Sequence, residues 1–285
     1  MTRTVTQSTT QIETAAVTIN AKNPEKLSKF YQDIIGLTLF KKDQGVYSLG
    51  VGENHVLVEI YPANSADTPR TGLYHMAFLL PTRKDLADNL YHLLKSGQEL
   101  EGASDHGYSE ALYLHDLEGN GIEIYADKDQ TEWEISTEGY ISGIVEPMDG
   151  DGVLALADQS DYYAGMPAGT IMGHIHLSVA DLDPVINFYY HVMGLGVKYA
   201  MGQQAVFLAS GGYHHHLGAN TWQNRGSQDR DSHGMGLRSL VWQASASDMA
   251  IIKENLDQRQ IFYQEKDNGL SFHDPSGNLV EVKLA

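Results

Sequence analysis

Several histidines and one glutamate stand where strands would turn them to one side. In HIHLSV, starting at His174, alternate side chains of an extended strand face opposite ways. His174, His176 and Ser178 share one face, and Ile175, Leu177 and Val179 share the other. YHHHLGANTW from Tyr213 sets His214, His216, Gly218 and Asn220 opposite His215, Leu217 and Ala219. In LVEVKLA, Val280, Val282 and Leu284 share a face that excludes Glu281. The chain has no cysteine, so any metal must be held by nitrogen and oxygen. Neutral imidazoles and a carboxylate suit Fe(II), Mn(II), Zn(II) or Ni(II), and two histidines with one carboxylate leave positions open for a substrate or dioxygen. GGYHHHLG also invites a metal-storage reading, but three adjacent strand residues cannot all face one ion.

These strands must be positioned by something, and the chain supplies the same unit twice. NPEKLSKFYQDIIGL from Asn23 recurs as DLDPVINFYYHVMGL from Asp181, with Phe30-Tyr31 on Phe188-Tyr189 and Gly36-Leu37 on Gly194-Leu195. At the same offset DLEGNGIEIY from Asp116 overlays DPSGNLVEVK from Asp274, placing Glu123 on Glu281. Leu27, Phe30, Tyr31, Ile34 and Ile35 fall on one face of a 3.6-residue period, as do Val185, Phe188, Tyr189, Val192 and Met193. Asn23-Pro24 and Asp183-Pro184 supply caps, and Gly36 and Gly194 stop the helices. Further helices are expected at about residues 83 to 96 and 247 to 258, after second units that open at Gly72 and Gly236.

The pattern predicts an α+β chain of four βαβββ modules paired into two lobes: residues 12–127 without a metal site, and residues 171–285 with one. Residues 128–170, acidic and rich in Gly, Asp and Ser, read as the connection, with a helical turn at Val153 to Ala157. The first half places Ala16 where the second has His174, so Glu123 is expected to be structural or solvated.

At 42% hydrophobic and 20% charged, the composition is that of an ordinary globular protein. No apolar run is long enough to span a bilayer and the first residues lack a signal peptide's apolar stretch, so a cytoplasmic protein without membrane contact is expected. A formal charge of −18 opposes binding to nucleic acid. A homo-oligomer is compatible with the sequence, which does not decide it.

GHIHLSVADLDPVINFYYHVMGLGV, followed by GGYHHHLGANTW and closed by DPSGNLVEV, resembles the vicinal oxygen chelate superfamily of glyoxalases, bleomycin-resistance proteins and extradiol dioxygenases. The resemblance covers nearly the whole chain and is greatest to bacterial catechol 2,3-dioxygenase-type proteins. It implies a cup-shaped, partly open mixed sheet in each lobe, flanked by helices. It also implies one divalent metal, Fe(II) before Mn(II), Zn(II) or Ni(II), held by His174, His216 and Glu281, with His176 and His214 as the alternative imidazoles. The implied reaction is extradiol cleavage of a small aromatic diol by O2, with His214 as base and Tyr263 and Ser271 as hydrogen-bonding groups. The other readings are a glyoxalase-like lyase or isomerase and a binding or resistance protein that sequesters an aromatic ligand. Two family positions differ in the second half: Leu237 stands where a second histidine is usual, and Ser271 replaces the tyrosine ten residues before the ligand glutamate.

Overall fold

The computed structural model describes residues 4–65, 71–159, 163–227 and 234–285. The first module is β1 (Glu13–Ala21), α1 (Pro24–Phe30), β2 (Thr38–Asp43), β3 (Val46–Val51) and β4 (His55–Pro62). The second is β5 (Gly72–Leu79), α2 (Arg83–Lys95), β6 (Gly102–Asp105), β7 (Ser109–His115) and β8 (Gly121–Asp127). A connection follows, carrying β9 (Glu146–Pro147) and α3 (Gly150–Leu154). The third module is β10 (Ile171–Ser178), α4 (Leu182–His191), β11 (Gly196–Met201), β12 (Ala205–Ala209) and β13 (Leu217–Asn220). The fourth is β14 (Gly236–Ala244), α5 (Ala246–Gln258), β15 (Tyr263–Lys266), β16 (Gly269–His273) and β17 (Leu279–Leu284).

Local chemistry sets the helix ends. The side chains of Asn23, Thr82 and Ser245 each accept the N–H three residues on, satisfying a donor that the first turn leaves unpaired. In α4 the cap is Asp181 rather than Asp183, accepting from Asp183 N. The chain after α1 runs through a wider turn, Tyr31–Ile35, and leaves it at Gly36, whose φ of 90° is the left-handed conformation glycine adopts freely.

The four modules form two curled sheets, in the orders β15-β16-β17-β14-β1-β4-β3-β2 and β11-β12-β13-β10-β5-β8-β7-β6-β9. The expected pairing within halves is therefore corrected. The first module pairs with the fourth through β1 and β14, and the second with the third through β5 and β10. Neither 12–127 nor 171–285 closes a sheet alone. The connection 128–170, of which 160–162 lie outside the described residues, is more than a tether, because β9 extends the second sheet beside β6.

The halves are nonetheless clamped internally, and identically. Asp116 accepts from the backbone of Glu118 and Asn120 and from the Asn120 amide, while the Tyr31 hydroxyl donates to its Oδ2 at 3.0 Å. Asp274 accepts from Ser276 and Asn278 in the same way, with the Tyr189 hydroxyl at 3.1 Å. Burial raises the Asp116 carboxyl above its usual range, so the hydrogen bonds it accepts compensate a cost of desolvation. The repeated Phe-Tyr and DxxGN strings are thus two halves of one contact between the first helix and the second module's turn.

Candidate metal centre

The inner face of the second sheet carries the site. β5 lies between β8 and β10, with Ala77 opposite Glu123 on one side and opposite His174 on the other. Residues two apart on a strand share a face, so His75 joins them from β5. His75 Nε2 lies 3.3 Å from His174 Nε2, His174 Nε2 lies 3.2 Å from Glu123 Oε2, and His75 Nε2 lies 3.1 Å from Glu123 Oε2. All three residues are buried.

Three lone-pair-bearing atoms in a near-equilateral triangle are the arrangement a cation requires. Ligand atoms about 2.1 Å from an ion and at right angles to one another stand about 3.0 Å apart. The spacing therefore fits two imidazoles and a carboxylate on one face of an octahedron, a set used by oxygen-activating iron sites. Protonation agrees with ligation. Burial works to raise the Glu123 carboxyl, but His174 and then His75 outweigh it and hold it well below the usual range. Burial lowers the His174 imidazole to about 4 against the pull of Glu123, so the ring is neutral at pH 7 with a free lone pair. The residues fit a single divalent metal.

The triad lines a cavity of about 900 Å³, whose walls include Tyr74, Tyr113, His176, Phe207, His215 and Trp222. His174, His176 and Ser178 all face it, as alternation along HIHLSV predicts. Tyr113 pairs with Glu123 across β7 and β8, and its hydroxyl hydrogen-bonds His106 Nε2 at 2.6 Å.

Of the residues expected in the centre, only His174 is there. Glu281 lies in the other sheet, where Ser239 Oγ donates to its Oε1 at 2.6 Å and Thr18 Oγ1 lies 2.7 Å from the same hydroxyl. His216 precedes β13 and turns Nδ1 to the Ser210 N–H at 3.2 Å. The expected alternation fails here because residues 211–216 form turns and only Leu217–Asn220 is strand. That reverses two neighbours: His215 lines the cavity, while His214 is buried behind it with Nε2 3.0 Å from Asp127. Tyr263 donates to Asp257 at an exposed edge, and Ser271 sits opposite Glu281 in the first sheet.

The first sheet is a copy of the site without its ligands. Its register puts Ala16 in the place of His174, Thr18 in that of His176, Ser239 in that of His75, Glu281 in that of Glu123 and Ser271 in that of Tyr113. Ser239, not Leu237, is the residue standing where a second histidine would be, since Ser239 opposes Thr18 as His75 opposes His176. The expected roles of the two glutamates are thereby exchanged: Glu123 stands in the cluster that could hold a metal, and Glu281 in the sheet with Ala16 and Ser239. His75 was missed. A signal for Glu123 was present: Tyr113 stands ten residues before it, the spacing that Ser271 breaks before Glu281.

Comparison with known proteins agrees with this fold. The chain is 38% identical over 234 residues to catechol-2,3-dioxygenase of Bacillus subtilis (strain 168), covering 80% of each protein. It is 29% identical over 150 residues to biphenyl-2,3-diol 1,2-dioxygenase 3 of Rhodococcus globerulus, covering 50% of this chain and 77% of that one. Glyoxalase I from Zea mays superposes with a TM-score of 0.56 at 15% identity, covering 95% of this chain and 92% of that one, which establishes shared fold alone. The family model of the glyoxalase/bleomycin resistance protein/dioxygenase superfamily matches residues 13–135. With two histidines and one glutamate gathered in a buried cavity and a relative of this identity along four-fifths of its length, the chain belongs to that superfamily.

Proposed function

We propose that the protein is an extradiol dioxygenase that opens catechol-like aromatic diols with O2, using one divalent metal, Fe(II) before Mn(II), at His75, Glu123 and His174. The observation that carries this reading is the triangle of ligand atoms set in one wall of a cavity large enough for an aromatic substrate. When bound, the metal would acidify the two hydroxyls of a diol and provide a place for O2 beside it.

The chain's own groups divide the remaining work. His215 has its Nδ1 turned back to His214 and lines the cavity, leaving Nε2 to take a proton from a diol hydroxyl. Burial first, then the imidazoles of His174 and His214, push its pKa well below the usual value, so it is neutral and able to accept. The Tyr113 hydroxyl, whose own ionisation burial opposes, bonds His106 Nε2 and lines the cavity from the strand position opposite Glu123. Tyr74, Phe207 and Trp222 supply flat walls that accommodate an aromatic ring and exclude water. A glyoxalase-like lyase would use two glutamates, and the ligand cluster among the described residues holds one carboxylate.

The test is anaerobic reconstitution of metal-free protein with Fe(II), Mn(II), Zn(II) or Ni(II), followed by catechol and air. Yellow ring-fission product with matched O2 uptake, abolished in His174→Ala, supports the reading. Tight metal binding with no O2 uptake for any metal or diol sinks it.

A further inference from the structure

Behind His215 lies a chain of contacts that the proton transfer itself does not require. Asp127, at the end of β8, places Oδ1 3.0 Å from His214 Nε2, and His214 Nδ1 is 2.8 Å from His215 Nδ1. The His214 ring is fixed in place, stacked on Tyr108 at 4.2 Å with 15° between planes and flanked by Trp133 at 5.3 Å.

Two facing Nδ1 atoms at this distance share one hydrogen, and that leaves two arrangements. Either His215 donates from Nδ1 and its Nε2 is bare, or His214 donates from Nδ1 and His215 carries its hydrogen on Nε2. In each arrangement one ring is protonated on Nε2 and the other on Nδ1, so imidazole's intrinsic tautomer preference cancels between them. Asp127 removes the tie. A carboxylate can only accept, so His214 carries a hydrogen on Nε2, and between two neutral rings the shared hydrogen then belongs to His215 Nδ1.

We infer that Asp127 and His214 are positioning residues that fix His215 in the tautomer with an unprotonated Nε2 facing the cavity. This rests on the reading of His215 as the group that receives the diol proton, since the opposite tautomer would present a donor where an acceptor is needed. It also explains three consecutive histidines without a shared ion: His215 acts in the cavity, His214 sets its tautomer, and His216 bonds the neighbouring turn.

The experiment is long-range proton–nitrogen NMR on metal-free protein labelled with 15N at histidine, the His215 signals being assigned through His215→Gln. The wild type should show His215 protonated on Nδ1. In Asp127→Asn the amide can donate as well as accept, and the Nε2-protonated form of His215 should appear, while Asp127→Glu should restore the wild-type pattern. The Fe(II)-loaded Asp127→Asn enzyme should lose roughly tenfold or more in kcat with KM little changed. Protonation of His215 on Nε2 in the wild type overturns the inference, as does an Asp127→Asn variant with either its tautomer or its kcat unaltered. Because the tautomer is read without metal or substrate, a protein that shows the expected tautomers but cleaves no diol removes the dioxygenase reading and leaves the positioning role standing.

Discussion

Glu123 and His174 come from opposite halves of the chain, yet Oε2 and Nε2 lie 3.2 Å apart, because each is the cross-strand neighbour of the same small residue, Ala77. β5 thus serves as the spacer of the centre, contributing His75 two residues before the point where the other two strands meet it. Metal retention should follow this pairing. Glu123→Gln should weaken binding by at least about a hundredfold, more than the loss of a supporting hydrogen bond costs, whereas Glu281→Gln should bind as the wild type does. Metal content after dialysis against a graded chelator decides between them, and equal retention by both variants would remove Glu123 from the ligand set.

Tyr113→Phe removes a cavity-lining hydroxyl that bonds His106 and sits on the strand position opposite Glu123, without removing any ring packing. Activity or metal affinity should fall about 10- to 100-fold with the fold intact. Steady-state kinetics and a thermal melt together check this. A large loss of Tm alongside the loss of activity would show that the hydroxyl is structural.

Acid should act on the metal-free protein partly through His216. Burial first, then the imidazoles of His214 and His174, lower its pKa to about 3. The unfolded chain binds that proton near pH 6.5, roughly, so between there and the folded value the unfolded state holds more protons and stability falls as pH falls. His216→Asn keeps an oxygen to accept the Ser210 N–H but does not titrate. Its urea midpoint should therefore decline less steeply over that window, and its metal binding should be unchanged. A parallel decline in the two proteins would contradict the sign argued here.

Gly173 precedes His174 in a place with no room for a side chain. A β-carbon there would collide with the Tyr125 hydroxyl and lie 2.8 Å from Leu79 Cβ. Gly173→Ala should cost about 1–3 kcal/mol of stability, the usual range for overpacking. Because the Tyr125 hydroxyl is 2.8 Å from that of Tyr213, the histidine run beyond should shift too. Denaturant titration measures the first effect and histidine NMR the second; an unchanged midpoint would mean that the strands yield easily.

Much of this was legible in the chain. The helical faces around Phe30-Tyr31 and Phe188-Tyr189, the cap at Asn23 and the DxxGN turns are local, and local preferences determine them, whereas the cap expected at Asp183 falls on Asp181. Alternation placed His174, His176 and Ser178 on one face because β10 remains extended from His174 to Ser178, its own extra residue in the pairing with β5 falling before His174. The same rule failed at His214 to His216 because the strand begins only at Leu217.

What the sequence by itself determined is the repeated module, the inward face of HIHLSV and a nitrogen-and-oxygen metal chemistry. Which modules share a sheet was decided only by the tertiary structure. β1, β5, β10 and β14 open equivalent units, each with an edge able to pair with another such strand, and nothing along the chain says which edge will be covered by which. Closing β5 on β10 and β1 on β14 put Glu123 beside His174 and left Glu281 with Ala16 and Ser239. A ligand set drawn from three strands depends on that long-range choice, which no local spacing encodes.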